Sequence, residues 1–173
     1  IHTGIQDVRQ SLIDDKKMLI KELEKKDAVI NAMIENLPDM LWFKDKDGKY
    51  MYANKATREN LLFCNYPTGR TDIELAKAAK KIFGDRNHTF GEVCGKSDLD
   101  VLENKFTGKK YVESGNVRGE MLHLEVNKSI VEMDGEILGV VGSARDITGH
   151  REALIKGGHK DVFKANEFVN KDQ

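Results

Sequence analysis

Leu122-His123-Leu124-Glu125-Val126-Asn127-Lys128-Ser129 is the stretch that decides the fold. Leu122, Leu124 and Val126 alternate with His123, Glu125 and Asn127, and a period of two puts the first set on one face of a β-strand and the second on the other. The strand reads as Met121–Glu132. On its C-terminal side Asp134-Gly135 is a hairpin turn, because both central residues of a tight turn there need positive φ, which Asp and Gly tolerate. The run Ile137–Arg145 therefore pairs back antiparallel, and Gly119-Glu120 joins the preceding run, Lys110–Arg118, in the same way. Gly139, Gly142, Ser143 and Ala144 leave the last of these strands small-sided, which permits close approach of a helix, a second subunit or a ligand.

Upstream, Met40–Lys44 and Lys49–Ala53 are two short β-prone runs around Asp45-Lys46-Asp47-Gly48, a second hairpin. Asn54 is placed to cap a helix through Ala56–Phe63, its side-chain oxygen accepting from first-turn amides. Thr71-Asp72 opens a helix over Ile73–Phe83 with Gly84 as its stop. Asp85–Gly95 reads as a loop, and Ser97-Asp98 as the cap of a further helix to about Asn104. Before all of these, residues 5–37 hold no proline. Leu12, Lys16, Leu19, Leu23, Lys26, Ile30, Met33 and Leu37 recur at alternating steps of four and three, the seam of a coiled coil, with Pro38 as its end. A homodimer through this helix is expected. The other reading is a single amphipathic helix packed on its own domain. The order helix, two strands, helical insert, three strands gives an α+β fold, one antiparallel sheet with short helices on one face. The divisions are an N-terminal helix over 1–36, a sheet-bearing domain over 37–148 and a C-terminal linker or helix over 149–173.

Bulk properties narrow the function. In 173 residues, charged side chains make up 33% and the net charge is −1, so no global field draws nucleic acid or an anionic membrane. No nucleic-acid partner and no direct membrane contact are expected. No stretch approaches the roughly 18 apolar residues that span a bilayer. Cys64 and Cys94 form neither a disulfide framework nor a CxxC zinc motif, which suits a reducing cytoplasm. Phosphate loop, GxSxG, HExxH and kinase motifs are all missing from the sequence, so catalytic residues and a metal site are not expected.

Several segments in this order resemble the PAS family of sensory domains, from about Ile34 to Thr148. They are Asn36-Leu37-Pro38-Asp39; Trp42-Phe43-Lys44-Asp45 with Asp47-Gly48-Lys49-Tyr50 and Asn54; Gly69-Arg70-Thr71-Asp72; and Leu124–Ser129 followed by Asp134-Gly135-Glu136 and Gly139–Thr148. The resemblance implies a five-stranded antiparallel sheet, a pocket between sheet and helices, and flanking helices that relay a signal to an output domain. In this family the parent is often a bacterial histidine kinase or diguanylate cyclase. The stretch 76–95 is longer than in many members, and it borders the pocket.

On this reading the pocket is faced by Met40, Trp42, Leu61, Leu62, Leu124, Val126, Val140, Gly142 and Ala144, a surface for a small, mostly apolar organic ligand. The same side chains equally describe an ordinary filled core. Lys44, Asn116 and Arg118 are candidates to orient a ligand, although Lys44 and Arg118 also read as solvated strand-end charges. His123 belongs to the outer face. Haem ligation would fall to His88 or Cys94, but His88, between Asn87 and Thr89, reads as exposed, and haem is not expected. Flavin is less so, since Phe63-Cys64-Asn65-Tyr66 lacks the asparagine-cysteine-arginine-phenylalanine context of the light-sensing members, and Cys64 reads as a buried small hydrophobe. Arg145, Asp146 and Thr148 are the expected output joint, with Asp146 or Thr148 capping the exit helix. The expectation is a ligand-binding sensory module; a ligand-free dimerisation module and a haem-based gas or redox sensor are the rivals.

Overall fold

The turn at Asp134-Gly135 forms as its residue types require, with φ of 52° and 78°, and it joins the two longest strands. In the computed structural model, which describes residues 2–159 and 167–169, these are β4 (Glu120–Met133) and β5 (Glu136–Asp146). The remaining strands are β1 (Met40–Asp45), β2 (Tyr50–Ala53), β3 (Lys109–Val117) and β6 (Glu167–Val169). Together they make one sheet in the order β2-β1-β5-β4-β3-β6. All neighbours are antiparallel except β3 and β6, which pair in parallel, Val112 opposite Glu167. The five expected strands are present, and β6 adds a sixth from a segment expected to be linker.

The chain divides into two units, 1–36 and 37–173. The first is α1 (His2–Glu35), where the apolar Leu12, Leu19, Leu23, Ile30 and Met33 are each more than half exposed. In the second unit, α2 (Lys55–Thr57) continues as a π-helical turn over Arg58–Leu62. Asn54 caps it as expected, its side-chain oxygen accepting from the Thr57 amide at 3.1 Å. The same oxygen accepts from the Leu41 amide at 3.0 Å, which ties the helix to β1.

Helix α3 (Asp72–Phe83) opens on a capping box between Thr71 and Glu74. Helix α4 runs Gly91–Asn104, which corrects two expectations. Gly91–Gly95 is helical rather than loop, and Ser97-Asp98 lies inside the helix rather than at its cap. The reason is packing. A side chain at Gly91 would come within 2.6 Å of Ala76 Cβ, so glycine lets α4 lie against α3 and that contact outweighs its poor helix propensity. Helix α5 (Thr148–Lys156) follows β5. Among the described residues, no helix is long and apolar enough to cross a membrane.

The core lies between the sheet and the helices α2–α4. Met40, Leu61, Leu62, Leu124, Val126 and Ala144 are buried in one apolar cluster with Leu75 and Phe90. Trp42 spans the sheet beside them, its indole so close over Gly142 that a Cβ there would meet the ring at 2.5 Å. The small side of β5 thus receives a side chain of the domain itself.

Candidate functional site

Strand alternation carries charge into this core. On β1, Met40 and Trp42 are followed inward by Lys44, 1% exposed, and on β4, Leu124 and Val126 are followed by Lys128, 0% exposed. Lys44 is therefore no solvated strand end. Opposite the lysines stand Glu113 on β3, Asp72 on the first turn of α3 and Asp98 inside α4, all buried. Lys44 Nζ donates to Asp72 and, at 2.7 Å, to Asp98 Oδ2. Lys128 Nζ donates to Asp98 Oδ1 at 2.6 Å and to Ser97 Oγ at 2.6 Å, and lies 2.9 Å from Glu113 Oε1. Tyr50 donates its hydroxyl to Asp72 Oδ1 at 2.7 Å, and Ser97 donates to Glu113. The Tyr50 ring lies 4.9 Å from Lys44 Nζ, and the Trp42 ring about equally far from both ammoniums, at 6.0 and 5.9 Å.

Burial and charge act against each other here. Burial alone would lower the Lys44 and Lys128 ammoniums, but facing carboxylates hold both well above the ordinary lysine value: Asp72 and Asp98 for Lys44, Glu113 and Asp98 for Lys128. Burial likewise works to raise Asp98, yet the two lysines bring it down to about 2. Asp72 goes the other way: burial, with the nearby Asp98 charge, outweighs Lys44 and raises it. Burial first and Asp72 second push the Tyr50 hydroxyl well up. At formal charges the group holds two cations against three anions. Two of its polar atoms have no partner, Glu113 Oε2 and Trp42 Nε1.

Two spaces adjoin it. Leu61, Leu62, Leu75, His88, Phe90 and Cys94 surround a cavity of about 10 Å³, room for a water molecule and far too small for haem. His88 is 3% exposed, against Phe63 and Phe83, which corrects its expected place in solvent. Burial, and then the Lys80 charge, lower its pKa. Cys94 is buried, while Cys64 is only half-buried. The second space, about 300 Å³, is a cleft between α3 and α4 that reaches Asp72 and Asp98.

Of the remaining sequence candidates, Val140 packs with Val101 and Tyr111 beyond the cluster. Asn116 and Arg118 do not join it. The Asn116 side chain donates to the Arg86 carbonyl at 3.3 Å, and Arg118 is exposed over the Phe63 ring at 4.7 Å. Arg118 instead lines a surface groove of about 450 Å³ with Met40, Asp146 and Thr148. There Asp146 Oδ1 accepts from the Thr148 amide at 2.9 Å, and Thr148 Oγ1 accepts from the His123 amide at 2.9 Å. Arg145 is exposed, 3.8 Å from Asp39. His123 is on the outer face, where its Nδ1 accepts from Arg151 Nη1 at 2.9 Å, and Arg151 in turn pairs with Glu167. The residues the sequence reading missed are Lys128, Glu113, Asp72, Asp98 and Tyr50. The signal was available for Lys128, which continues the inward set Leu122, Leu124, Val126.

No family model and no curated protein matches the chain. Solved structures do. Phage VqmA in a complex with DPO matches at 22% identity and a TM-score of 0.53, over 78% of this chain and 60% of that one. Vibrio cholera VqmA in a ligand–DNA complex matches at 21% and 0.51, over 77% and 59%. The domain from Bordetella pertussis BvgS matches at 17% and 0.50, over 80% and 97%. The chain thus spans about three-fifths of the VqmA chains. One expectation is overturned. Among the structures of this likeness is a DNA complex, so the near-zero net charge of this segment does not exclude a nucleic-acid partner.

Proposed function

We propose that this chain, whose fold is that of the PAS domains, is the sensory module of a cytoplasmic signalling protein and that it receives its cue at the ionic cluster between sheet and helices. The observation that carries this reading is the cluster's energetics. Desolvating two lysines and three carboxylates costs roughly what their attraction returns, and buried ion pairs exchanged for apolar side chains commonly leave a protein as stable or more so. A domain selected only to fold has little use for five buried charges. Pre-placed charges do serve recognition, since charge-assisted hydrogen bonds to a ligand group are strong where water is excluded and the dipoles are already oriented.

Lys44, Lys128, Asp72, Asp98 and Glu113 join the β1, β3 and β4 strands to α3 and α4, so a ligand or charge change that rearranges them alters how the helices sit on the sheet. That bias is a population shift. It leaves the domain through Arg145, Asp146 and Thr148 at the junction of β5 and α5, and α1, dimerised as a parallel coiled coil, carries the same bias. The output domain, a histidine kinase or diguanylate cyclase in the implied reading, lies elsewhere in the parent protein. Native mass spectrometry of freshly purified protein, with its absorption spectrum, tests the reading. A stoichiometric small-molecule adduct on a dimer is the expected result. An adduct-free protein whose melting temperature no metabolite shifts would leave the domain as a dimerisation module only.

A further inference from the structure

The cleft between α3 and α4 is a second, independent feature of the same region. Ile73, Leu99 and Leu102 give it an apolar lining, and it meets the ionic cluster at Asp72 and Asp98. Ile73 and Leu99 are more than half exposed, an apolar surface held open to water. At Gly95, in the wall, an added Cβ would meet nothing within 4 Å, so the glycine leaves space that any other residue would occupy. A volume of about 300 Å³ is at the lower end of the range for small-molecule sites.

Charge decides what fits. Asp47 and Glu92 add to the acidic lining, and Lys46, the cation there, is 3.5 Å from Glu136. The cluster to which Asp72 and Asp98 belong carries one more carboxylate than ammonium, and Glu113 Oε2 is buried with nothing donating to it. Each carboxylate oxygen of Asp72 and Asp98 accepts from one side-chain donor of the cluster, and each has lone-pair capacity for another. A single added cation would balance the cluster. An added anion would meet three carboxylates in a low-dielectric interior, at a cost that grows as the dielectric falls.

We infer that this cleft takes a small organic cation, a primary ammonium on an apolar body, with the ammonium on Asp72 and Asp98 and the body between Ile73, Leu99 and Leu102. This rests on the sensory reading above and gives the cue its chemical class. An ammonium there shares both carboxylates with Lys44 and draws part of their charge away from it, so its arrival loosens the bond between β1 and the two helices and supplies the rearrangement that signalling needs.

Isothermal titration of the full chain at pH 7 with butylammonium chloride, sodium butyrate and 1-butanol, at matched ionic strength, tests it. Saturable 1:1 binding of butylammonium alone is expected. Burial contributes about 0.8 kcal/mol per methylene, so methylammonium, three methylenes shorter, should bind roughly 50-fold more weakly. Gly95→Leu fills the cleft without touching a charge and improves helix propensity, so it should fold, melt no lower than the parent, and lose the binding. Binding of butyrate or butanol in preference would overturn the cation assignment while leaving the cleft as the ligand site. Binding by none of the three, or butylammonium binding that survives in Gly95→Leu, overturns the inference outright. The sensory reading stands or falls separately, on the native adduct.

Discussion

The inner face of the sheet has two ends built on opposite principles. At one, Met40, Leu124, Val126 and Ala144 meet Leu61, Leu62 and Leu75 in an apolar core. At the other, Lys44 and Lys128, a few residues along the same strands, meet Asp72, Asp98 and, from β3, Glu113. The first end contributes stability in proportion to the area it removes from water, about 25 cal/mol per Å². The second is close to a cancellation, a large desolvation cost against a large attraction. Removing one member harms the two ends differently. An apolar truncation leaves a hole, whereas loss of a lysine leaves buried negative charge without a counterpart.

The largest effect is therefore expected from Lys128→Met, which leaves Glu113 without a cation and Asp98 with Lys44 alone. Its cost should be about 4 kcal/mol, in the range for breaking a buried ion pair, read as a fall in urea midpoint. Leu124→Ala, in the apolar end, should cost about 3 kcal/mol from lost transfer energy and the cavity left behind. An equal or larger loss in Leu124→Ala would erase the contrast between the ends.

The smallest effect sharpens the comparison through pH. His88 is buried with Nδ1 unpartnered, and its pKa is lowered by burial and by Lys80. As pH falls below about 6.5, the unfolded chain binds a proton at His88 that the folded one resists, so the wild type loses stability towards pH 5. His88→Phe keeps the ring packing with Phe63 and Phe83 and removes an unsatisfied atom. At pH 7 it should change stability by no more than ~0.5 kcal/mol, and the drop in melting temperature between pH 7 and 5 should shrink. An unchanged drop would place the proton uptake elsewhere.

What the sequence made legible, and what it hid, follows the same division. The β4 alternation, the Asp134-Gly135 turn, the Asn54 cap and the helix start at Thr71-Asp72 are local signals, each set by backbone chemistry within four residues, and each appears in the fold. Met40, Trp42, Leu124 and Val126 were placed inward because apolar residues at period two have one sensible side. The ionic end was hidden because a lysine in a strand is ordinarily solvated, and only partners distant in sequence reverse that. Lys128 pairs with Asp98 and Glu113, and Lys44 with Asp72 and Asp98. Ser97-Asp98 was misread for a related reason, because a serine and an aspartate before a helical run are the usual cap. Here α4 begins at Gly91, and both side chains point into the core. The sixth strand comes from a segment whose pairing with β3 has no local signal at all.

The central claim is that the ionic end is kept for recognition and not for stability. Its most direct test is the urea unfolding free energy of a variant in which the whole network is made apolar: Lys44→Met, Tyr50→Phe, Asp72→Leu, Ser97→Ala, Asp98→Leu, Glu113→Leu and Lys128→Met together. The account predicts a folded domain at least as stable as the wild type, although Lys128→Met alone is severely destabilised. A combined variant that loses as much stability as Lys128→Met, or more, would show that the buried charges hold the fold together and would contradict the claim.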